Sequence, residues 1–244
     1  MTPIDRLHEL TFQFCAMVPE TELPGTLLSV KQPIKEDFMA ITELDPKTAL
    51  IVIDLQKGIV SRPTAHPAKD IVAKSAKLAA AARKANLPVV LVHVGGGAPG
   101  RTDQKMSMAD LPADWTELVP ELNRQPSDHV VLKRTFGAFT NTDLESYLKS
   151  KGVTQIVLCG ISTSIGVEST ARFAHELGFH VAIAVDATTD MNADAYHNSV
   201  TRIFPRLAET GTADEIIDLM GKKGSASAMG RALDARPCHL FDRC

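Results

Sequence analysis

Short apolar runs alternate with amphipathic segments between positions 48 and 220, and this alternation is the strongest constraint on the fold. The runs are rich in branched residues and nearly free of charge, which is typical of strands buried on both faces. Five such runs are present: TALIVIDL (48–55), PVVLVHV (88–94), VVLKRT (130–135), QIVLCGI (155–161) and HVAIAVDAT (180–188). Helical patterns follow the first, third, fourth and fifth runs, so the sequence predicts an α/β fold with a parallel sheet covered on both sides by helices.

The alternation also predicts the limits of the domain. Residues 1–47 contain Pro19, Pro24, Gly25 and Pro33 and few strong signals, which favours an extended leader. Residues 48–220 form the predicted domain. The tail, 221–244, is small, polar and irregular, and is predicted to be loosely ordered.

Composition narrows the class of function. The 26 basic and 29 acidic residues give a net charge of −3, so no basic surplus points to a nucleic acid or a membrane surface. The start, MTPIDRLHEL, lacks the basic segment and apolar core of a signal peptide. The cysteines form no close CxxC pair, which favours a reduced, cytoplasmic compartment: Cys15, Cys159, Cys238 and Cys244.

Two charged residues in apolar strands are the main candidates for chemistry. Ligands of open parallel sheets bind beyond the carboxyl ends of the strands, and Asp54 lies at the end of the first run. A partly desolvated carboxylate there suits a general acid or base, although it could equally cap a turn. Lys133 lies in the third run and would pair with Asp54 if the two meet; alternatively, it points to solvent.

The turn from Gly160 to Gly166 is the third candidate. A helix start offers free N–H groups and a positive dipole end, which favour an anion, and Thr163 or Ser164 could cap it. Gly166 costs about 0.5–1 kcal/mol of helix stability relative to alanine. Close approach of a ligand to the backbone would explain this glycine, and so would a close contact between helix and strand without a ligand.

Other residues carry weaker signals. His93 ends the second run and could line a pocket or make a structural hydrogen bond, and Arg101 and Gln104 could bind a substrate carboxylate from the long loop at 95–128. Cys159 is expected to be a small core residue. The histidines show no metal-binding spacing, and neither a P-loop lysine pattern nor GxGxxG after the first run occurs, so no metal and no cofactor are predicted.

Taken together, the motifs resemble the isochorismatase-like hydrolases. TALIVIDLQKGIV is followed in the expected order by VVLKRTFGAF, LCGISTSIGVESTARFAHELG and HVAIAVDATTD, and the similarity runs from about Thr48 to Ile217. The resemblance implies a three-layer α/β/α sandwich around a mostly parallel sheet of about six strands. It also implies a small-molecule substrate and a homodimer or higher homo-oligomer.

The resemblance assigns roles residue by residue. Most members use an Asp–Lys–Cys triad, in which the aspartate matches Asp54, the lysine matches Lys133 and the nucleophilic cysteine is replaced by Gly166. Isochorismatases proper also carry glycine there and hydrolyse a vinyl ether without a covalent intermediate. They commonly have Tyr-Ala-His before that glycine, whereas this chain has Ser-Thr-Ser at 162–164. The family further implies a cis peptide at Ile161–Ser162, with an anion pocket formed by the amides of Ser162 and Gly166.

Three hypotheses follow. The first is a hydrolase that acts on a small carboxylated substrate by acid/base-assisted attack of water, with Asp54, Lys133 and Gly166 as its catalytic residues. In this hypothesis Ser162, Thr163, Gly166, His93 and Arg101 bind the substrate or its oxyanion. The second is a catalytically inactive ligand-binding or scaffold protein on the same fold. The third is a cysteine hydrolase whose nucleophile has moved to Cys159.

Overall fold

A six-stranded, all-parallel sheet forms the centre of the protein in a computed structural model that describes residues 41–104 and 111–222. The five predicted strands are present, and a sixth follows them. The strands are β1 (Thr48–Ile53), β2 (Val89–Val94), β3 (His129–Lys133), β4 (Gln155–Ile161), β5 (His180–Thr189) and β6 (Glu209–Gly211).

The strand order places a topological switch beside β1. The order across the sheet is β3-β2-β1-β4-β5-β6, so the chain builds outward from β1 in one direction and then, from β4, in the other. Connections on either side of β1 and β4 therefore leave towards opposite faces, which opens a crevice at the carboxyl ends of these two strands. This is where Asp54 follows β1 and the turn at residues 162–166 follows β4.

Helices cover both faces of the sheet, which confirms the predicted α/β architecture. They are α1 (Lys57–Val60), α2 (Ala68–Lys84), α3 (Leu144–Ser150), α4 (Glu168–Glu176), α5 (Ala193–Asn198) and α6 (residues 213–222). A π-helical turn, Thr163–Val167, leads into α4. Another, Ser199–Ile203, follows α5 and passes into a 3-10 turn, Phe204–Arg206. Among the described helices, none has the length and apolarity needed to cross a membrane.

The core consists of two clusters, one on each face of the sheet. Alternate residues of β1 belong to different clusters: Leu50 and Val52 pack on the side of α2 and α6, whereas Ile51 and Ile53 pack on the side of α3 and α4. Every residue of β1 is buried, as the continuous apolar run predicts. The two-sided burial makes β1 a rigid support for the residue that follows it.

The backbones of β1 and β4 are in close contact at Gly160. This residue is paired with Ile53 and has a φ of +119°, a region that side chains disfavour. A Cβ atom on Gly160 would lie 2.0 Å from the carbonyl oxygen of Ile53. Glycine is therefore required here for the two strands to pair directly before Asp54.

Several local features are absent from the sequence predictions. β6 begins at Glu209, outside the five predicted runs, because pairing of Ala182 to Ala184 with residues 209–211 draws this segment into the sheet. α3 begins at Leu144 after Asp143, and Thr142 accepts a hydrogen bond from the amide of Leu144 through its side chain (3.3 Å). The long loop at 95–128 contains a 3-10 turn, Pro120–Leu122. Leu118 in the same loop forms an isolated antiparallel bridge with Gln56, which lies after β1.

The domain limits stay a prediction. Most of the predicted leader (residues 1–40) and most of the predicted tail (223–244) lie outside the described residues. Within the described part, Ile41 and Leu44 precede the predicted start at Thr48 and are buried in the core cluster on the α2 side. The amide of Ile41 donates to the carbonyl of Thr210 in β6 (3.0 Å).

Candidate active site

Asp54 and Lys133 form a buried ion pair at the carboxyl edge of the sheet. The distance from Lys133 Nζ to Asp54 Oδ2 is 2.8 Å, and the two residues are 1% and 6% exposed. Asp54 follows the last residue of β1, and Lys133 is the last residue of β3, so each strand delivers its charge to the same edge. Lys133 Nζ also donates to the carbonyl of Phe136. The structure thus brings together the two charged residues that the sequence singled out.

One oxygen of Asp54 is left without a partner. Among the described residues, nothing donates a hydrogen bond to the buried atom Oδ1. Buried polar atoms are nearly always hydrogen-bonded, and an unused acceptor in a buried carboxylate marks a place where a proton or a ligand can be received. Burial raises the pKa of Asp54 to about 6, although the charge and the hydrogen bond of Lys133 act in the opposite direction. The carboxyl group can therefore change its protonation state near neutral pH.

Gly166 faces this pair. A Cβ atom on Gly166 would lie 3.2 Å from Asp54 Oδ2, 3.2 Å from Lys133 Nζ and 2.9 Å from Cγ2 of Ile53. Any side chain at this position would therefore project directly onto the ion pair, and even a methyl group would crowd it. Glycine leaves the backbone of the first turn bare at the point nearest to the two charges.

The turn that carries Gly166 is capped differently from the prediction. The peptide between Ile161 and Ser162 is cis, as the resemblance implied. Neither Thr163 nor Ser164 caps the helix with its side chain; the carboxylate of Asp190 accepts from the amide and the hydroxyl of Ser164 through Oδ2 (both 2.8 Å). Within the described residues, the buried Thr163 Oγ1 has no hydrogen-bond partner.

The remaining predicted binding residues lie in different surroundings. Ser162, which is half-buried, donates through its hydroxyl to Met191 Sδ (3.2 Å). His93 is half-buried near the end of β2, and its Nδ1 donates to the carbonyl of Thr116 (2.8 Å), the structural hydrogen bond that the sequence left open. Arg101 is exposed in the loop after β2 and has no hydrogen bond or ion pair to the described residues of the site.

Cys159 lies on the wrong face of the sheet to act as a nucleophile. It is fully buried in β4 and belongs to the core cluster on the α2 side, whereas Val167, next to Gly166, belongs to the opposite cluster. Burial raises the pKa of its thiol to about 12, which keeps the thiol protonated at neutral pH. The expectation that Cys159 is a small core residue is met.

Two buried polar residues near the site were not predicted. Asp190 follows the apolar strand β5 directly, so the rule that identified Asp54 also applied to it. Gln56, two residues after Asp54, is fully buried, and its amide binds backbone groups far along the chain. In the described ranges, no group of three or more His, Cys, Asp or Glu side chains is placed to hold a metal ion.

Comparisons of the sequence with known proteins all point to the same family. The family model of the isochorismatase domain matches residues 48–215. An isochorismatase family protein of Escherichia coli O157:H7, YecD, is 44% identical over 188 residues, which cover 73% of this chain and 99% of that protein. A ureidoacrylate amidohydrolase of Variovorax paradoxus, RutB, is 28% identical over 226 residues, which cover 80% of this chain and 89% of the relative.

Solved structures show the same similarity. An isochorismatase family protein from Burkholderia thailandensis superposes with a TM-score of 0.71 at 41% sequence identity. The superposition covers 75% of this chain and all of the other. The shared fold therefore spans most of the chain.

Proposed function

The chain belongs to the isochorismatase family of hydrolases, and on that premise we propose that it cleaves a small, carboxylated substrate by acid/base-assisted attack of water, without a covalent thiol intermediate. One observation carries the proposal: the buried Asp54–Lys133 pair, with its unpartnered carboxylate oxygen, faces the bare backbone of Gly166. The site keeps a proton-transfer group and a cation, and position 166 contributes no side chain to it.

Asp54 is the proposed proton-transfer residue. A catalytic acid or base works best when its pKa lies near the working pH, and burial brings the pKa of Asp54 to about 6. Both protonation states are then accessible near neutral pH, so the carboxylate can accept a proton from water while a protonated fraction remains. Lys133, 2.8 Å away, keeps the carboxylate in place and tunes it.

Gly166 is proposed to make room for the water and the substrate. With no side chain at 166, a reacting group can approach the two charges without meeting a side chain from this position. In the proposed cleavage of an amide, water adds to the carbonyl carbon while Asp54 takes one of its protons. Asp54 then returns that proton to the leaving nitrogen as the C–N bond breaks, which yields an acid and an amine.

A vinyl ether is the second bond type that fits these groups. There Asp54, in its protonated form, would give its proton to the terminal carbon of the double bond, and water would add to the resulting oxocarbenium carbon while the Asp54 carboxylate takes back one proton from that water. The adduct then breaks down to a carbonyl compound and an alcohol. Both reactions use one proton-transfer group and one water, and neither needs a thiol.

The carboxylated part of the substrate is proposed to lie against the amides of Ser162 and Gly166. Arg101, in the exposed loop after β2, is proposed to bind the same group. Several relatives act on amides, as the name ureidoacrylate amidohydrolase records for one of them. We propose amides of small carboxylic acids as the first substrates to test, followed by isochorismate and other small acids.

The experiment is a screen of the pure protein against these compounds in water enriched in oxygen-18. We expect one labelled oxygen in the acid product after a single turnover, and no mass added to the intact protein during the reaction. Asp54→Asn should slow this turnover by about 10²–10⁴-fold. A covalent adduct on the protein, or full activity in Asp54→Asn, would overturn the mechanism, and binding without conversion would favour a ligand-binding protein on the same fold.

A further inference from the structure

The side-chain amide of Gln56 connects three segments of the chain: its own segment after β1, the end of β2 at Val94, and the loop segment at Trp115. Its Oε1 accepts from the amide of Val94 (2.7 Å), and its Nε2 donates to the carbonyls of Val94 (3.0 Å) and Trp115 (3.1 Å). Gln56 is fully buried, and all these bonds lie at the edge of the sheet that carries Asp54. A single side chain thus satisfies both backbone groups of the last residue of β2.

Val94 is linked in turn to Lys133. The two residues are register partners in β2 and β3, and the amide of Gly95 donates to the carbonyl of Lys133 (2.9 Å). A displacement of Val94 would therefore move the strand end from which Lys133 reaches Asp54. On the other side, Gln56 is only two residues beyond Asp54, whose backbone has a φ of +51° and is hydrogen-bonded to Val92.

The third segment is a strap formed by residues 115–119. Its backbone pairs with the connection after Asp54: Gly58 donates to the carbonyl of Trp115 (3.1 Å), and Lys57 donates to that of Glu117 (2.8 Å). The strap also receives the hydrogen bond from His93. Because Val94 precedes the long loop and the strap lies in its second half, the amide of Gln56 fixes both sides of the stretch that contains Arg101.

We infer that Gln56 is a positioning residue, which holds Asp54 and Lys133 in register with each other and with the loop after β2. The inference rests on the proposed function, in which the Asp54–Lys133 pair performs the proton transfer. Among the described residues, the side chain of Gln56 makes hydrogen bonds to the backbone of Val94 and Trp115, and the positioning role does not require contact with the substrate.

A second buried glutamine provides a matched control. Gln155, at the start of β4, accepts through Oε1 from the amide of Asp45 (2.7 Å) and from the hydroxyl of Thr48 (2.8 Å). It is nearly as buried as Gln56 but lies at the opposite, amino-terminal end of the sheet. Replacement of either glutamine by methionine conserves the volume and removes the amide. Loss of stability alone should be similar in the two variants, whereas an effect on the ion pair should appear in only one.

The test is a carbon-13 NMR titration of the Asp54 carboxyl group in the wild-type chain, Gln56→Met and Gln155→Met. In Gln56→Met we expect the pKa of Asp54 to shift by about 1 unit or more, because loosened strand ends change both the burial that raises it and the contact with Lys133 that lowers it. Hydrogen exchange at the amide of Val94 should accelerate in the same variant. For a substrate found in the screen, kcat should fall about 10-fold or more while KM changes less. Gln155→Met should leave all these quantities unchanged.

Each outcome decides the inference. Identical titration of Asp54 in Gln56→Met and Gln155→Met would overturn it. If Gln56→Met does not fold, Gln56→Asn keeps an amide but shortens its reach, and the same shift is expected; failure of both to fold while Gln155→Met folds would assign Gln56 to stability alone and overturn the positioning role. Because the titration needs no substrate, it tests the positioning role of Gln56 even if the proposed function is wrong.

Discussion

In the part of the chain that the structure describes, the ion pairs Asp54–Lys133 and Arg83–Asp128 differ in construction; each contains a buried carboxylate. Arg83, near the end of α2, binds both carboxylate oxygens of Asp128: Nε to Oδ1 at 3.1 Å and Nη2 to Oδ2 at 2.7 Å. Oδ2 accepts further from the amide of Gln125 (2.8 Å), and Arg83 Nη2 donates to the carbonyl of Leu122 (3.1 Å). The pair at Asp128 uses both oxygens, whereas the pair at Asp54 leaves one unused.

This difference is the one we expect between a structural ion pair and the pair proposed to react. Burial costs a charged group several kcal/mol, which further hydrogen bonds offset. The Arg83–Asp128 pair has these bonds and joins α2 to the turn before β3. The Asp54–Lys133 pair keeps an unused acceptor and a raised pKa. A buried ion pair is therefore weak evidence for a site, and the unused acceptor atom is the more informative sign.

The largest expected effect contrasts two aspartates. Asp54→Asn should reduce kcat/KM by about 10²–10⁴-fold, the usual contribution of a general acid or base. Asparagine tolerates the positive φ at this position, so the variant should fold. Asp128→Asn should lower the melting temperature but leave kcat/KM close to wild type. Steady-state kinetics and thermal denaturation of both variants measure the contrast, and equal losses of activity would remove it.

Arg83→Met should test the structural pair alone. It leaves the carboxylate of Asp128, 1% exposed, without its cation. We expect a loss of about 3 kcal/mol in the free energy of unfolding, at the low end for a broken buried pair because the side chain of Arg83 is 17% exposed. Urea denaturation gives this value, and kcat/KM of the folded variant should remain at the wild-type level. A fall in activity without a fall in stability would contradict the assignment.

The pH dependence of stability should single out Asp54. Its pKa is about 6 in the folded chain and 3.8 as the ordinary value, so the folded state binds the proton more tightly. The corresponding stabilisation, about 3 kcal/mol, is present below pH 4 and is lost as the pH rises to about 6. Subtracting the unfolding free energies of Asp54→Asn from those of the wild type between pH 4 and 7 should reveal this slope, and Arg83→Met should retain it. A wild-type slope equal to that of Asp54→Asn would count against the raised pKa.

The smallest effects are expected at two helical glycines. Gly166→Ala would place a methyl group 3.2 Å from both charged atoms of the reactive pair, and a displacement of a few tenths of an ångström should reduce kcat/KM roughly 10-fold. In Gly221→Ala the new Cβ meets nothing within 4 Å. This control should gain up to about 1 kcal/mol of stability from helix propensity and keep its activity. Equal activity of both variants would show that space at 166 is unimportant.

Most of the fold could be predicted from the sequence because each main element is marked locally. The run QIVLCGI coincides with β4, and burial on both faces of β1 follows from its continuous apolar run. β6 could not be predicted, since three residues, Glu209–Gly211, carry no local signal and become a strand only through pairing with β5. Strand pairing over a distance is a property of the folded chain.

The candidate site divides in the same way. Asp54 and Lys133 are charges in apolar strands, a pattern visible in the sequence, and their distance of 2.8 Å follows from the edge at which parallel strands end. Asp190 fits the same rule and could have been found. Gln56 could not, because its partners, Val94 and Trp115, lie 38 and 59 positions away. Their backbone groups come within reach only after the sheet has formed.

The contact between Gly160 and Ile53 has a consequence for how this chain could acquire new specificities. The peptide groups of Ile53 and Gly160 lie directly against each other. This contact sets the spacing between Asp54 and the turn at residues 162–166, and it does not depend on the choice of side chains. Directed evolution towards other substrates should leave position 160 unchanged. Replacements should accumulate instead in the stretch 97–104, whose residues are exposed.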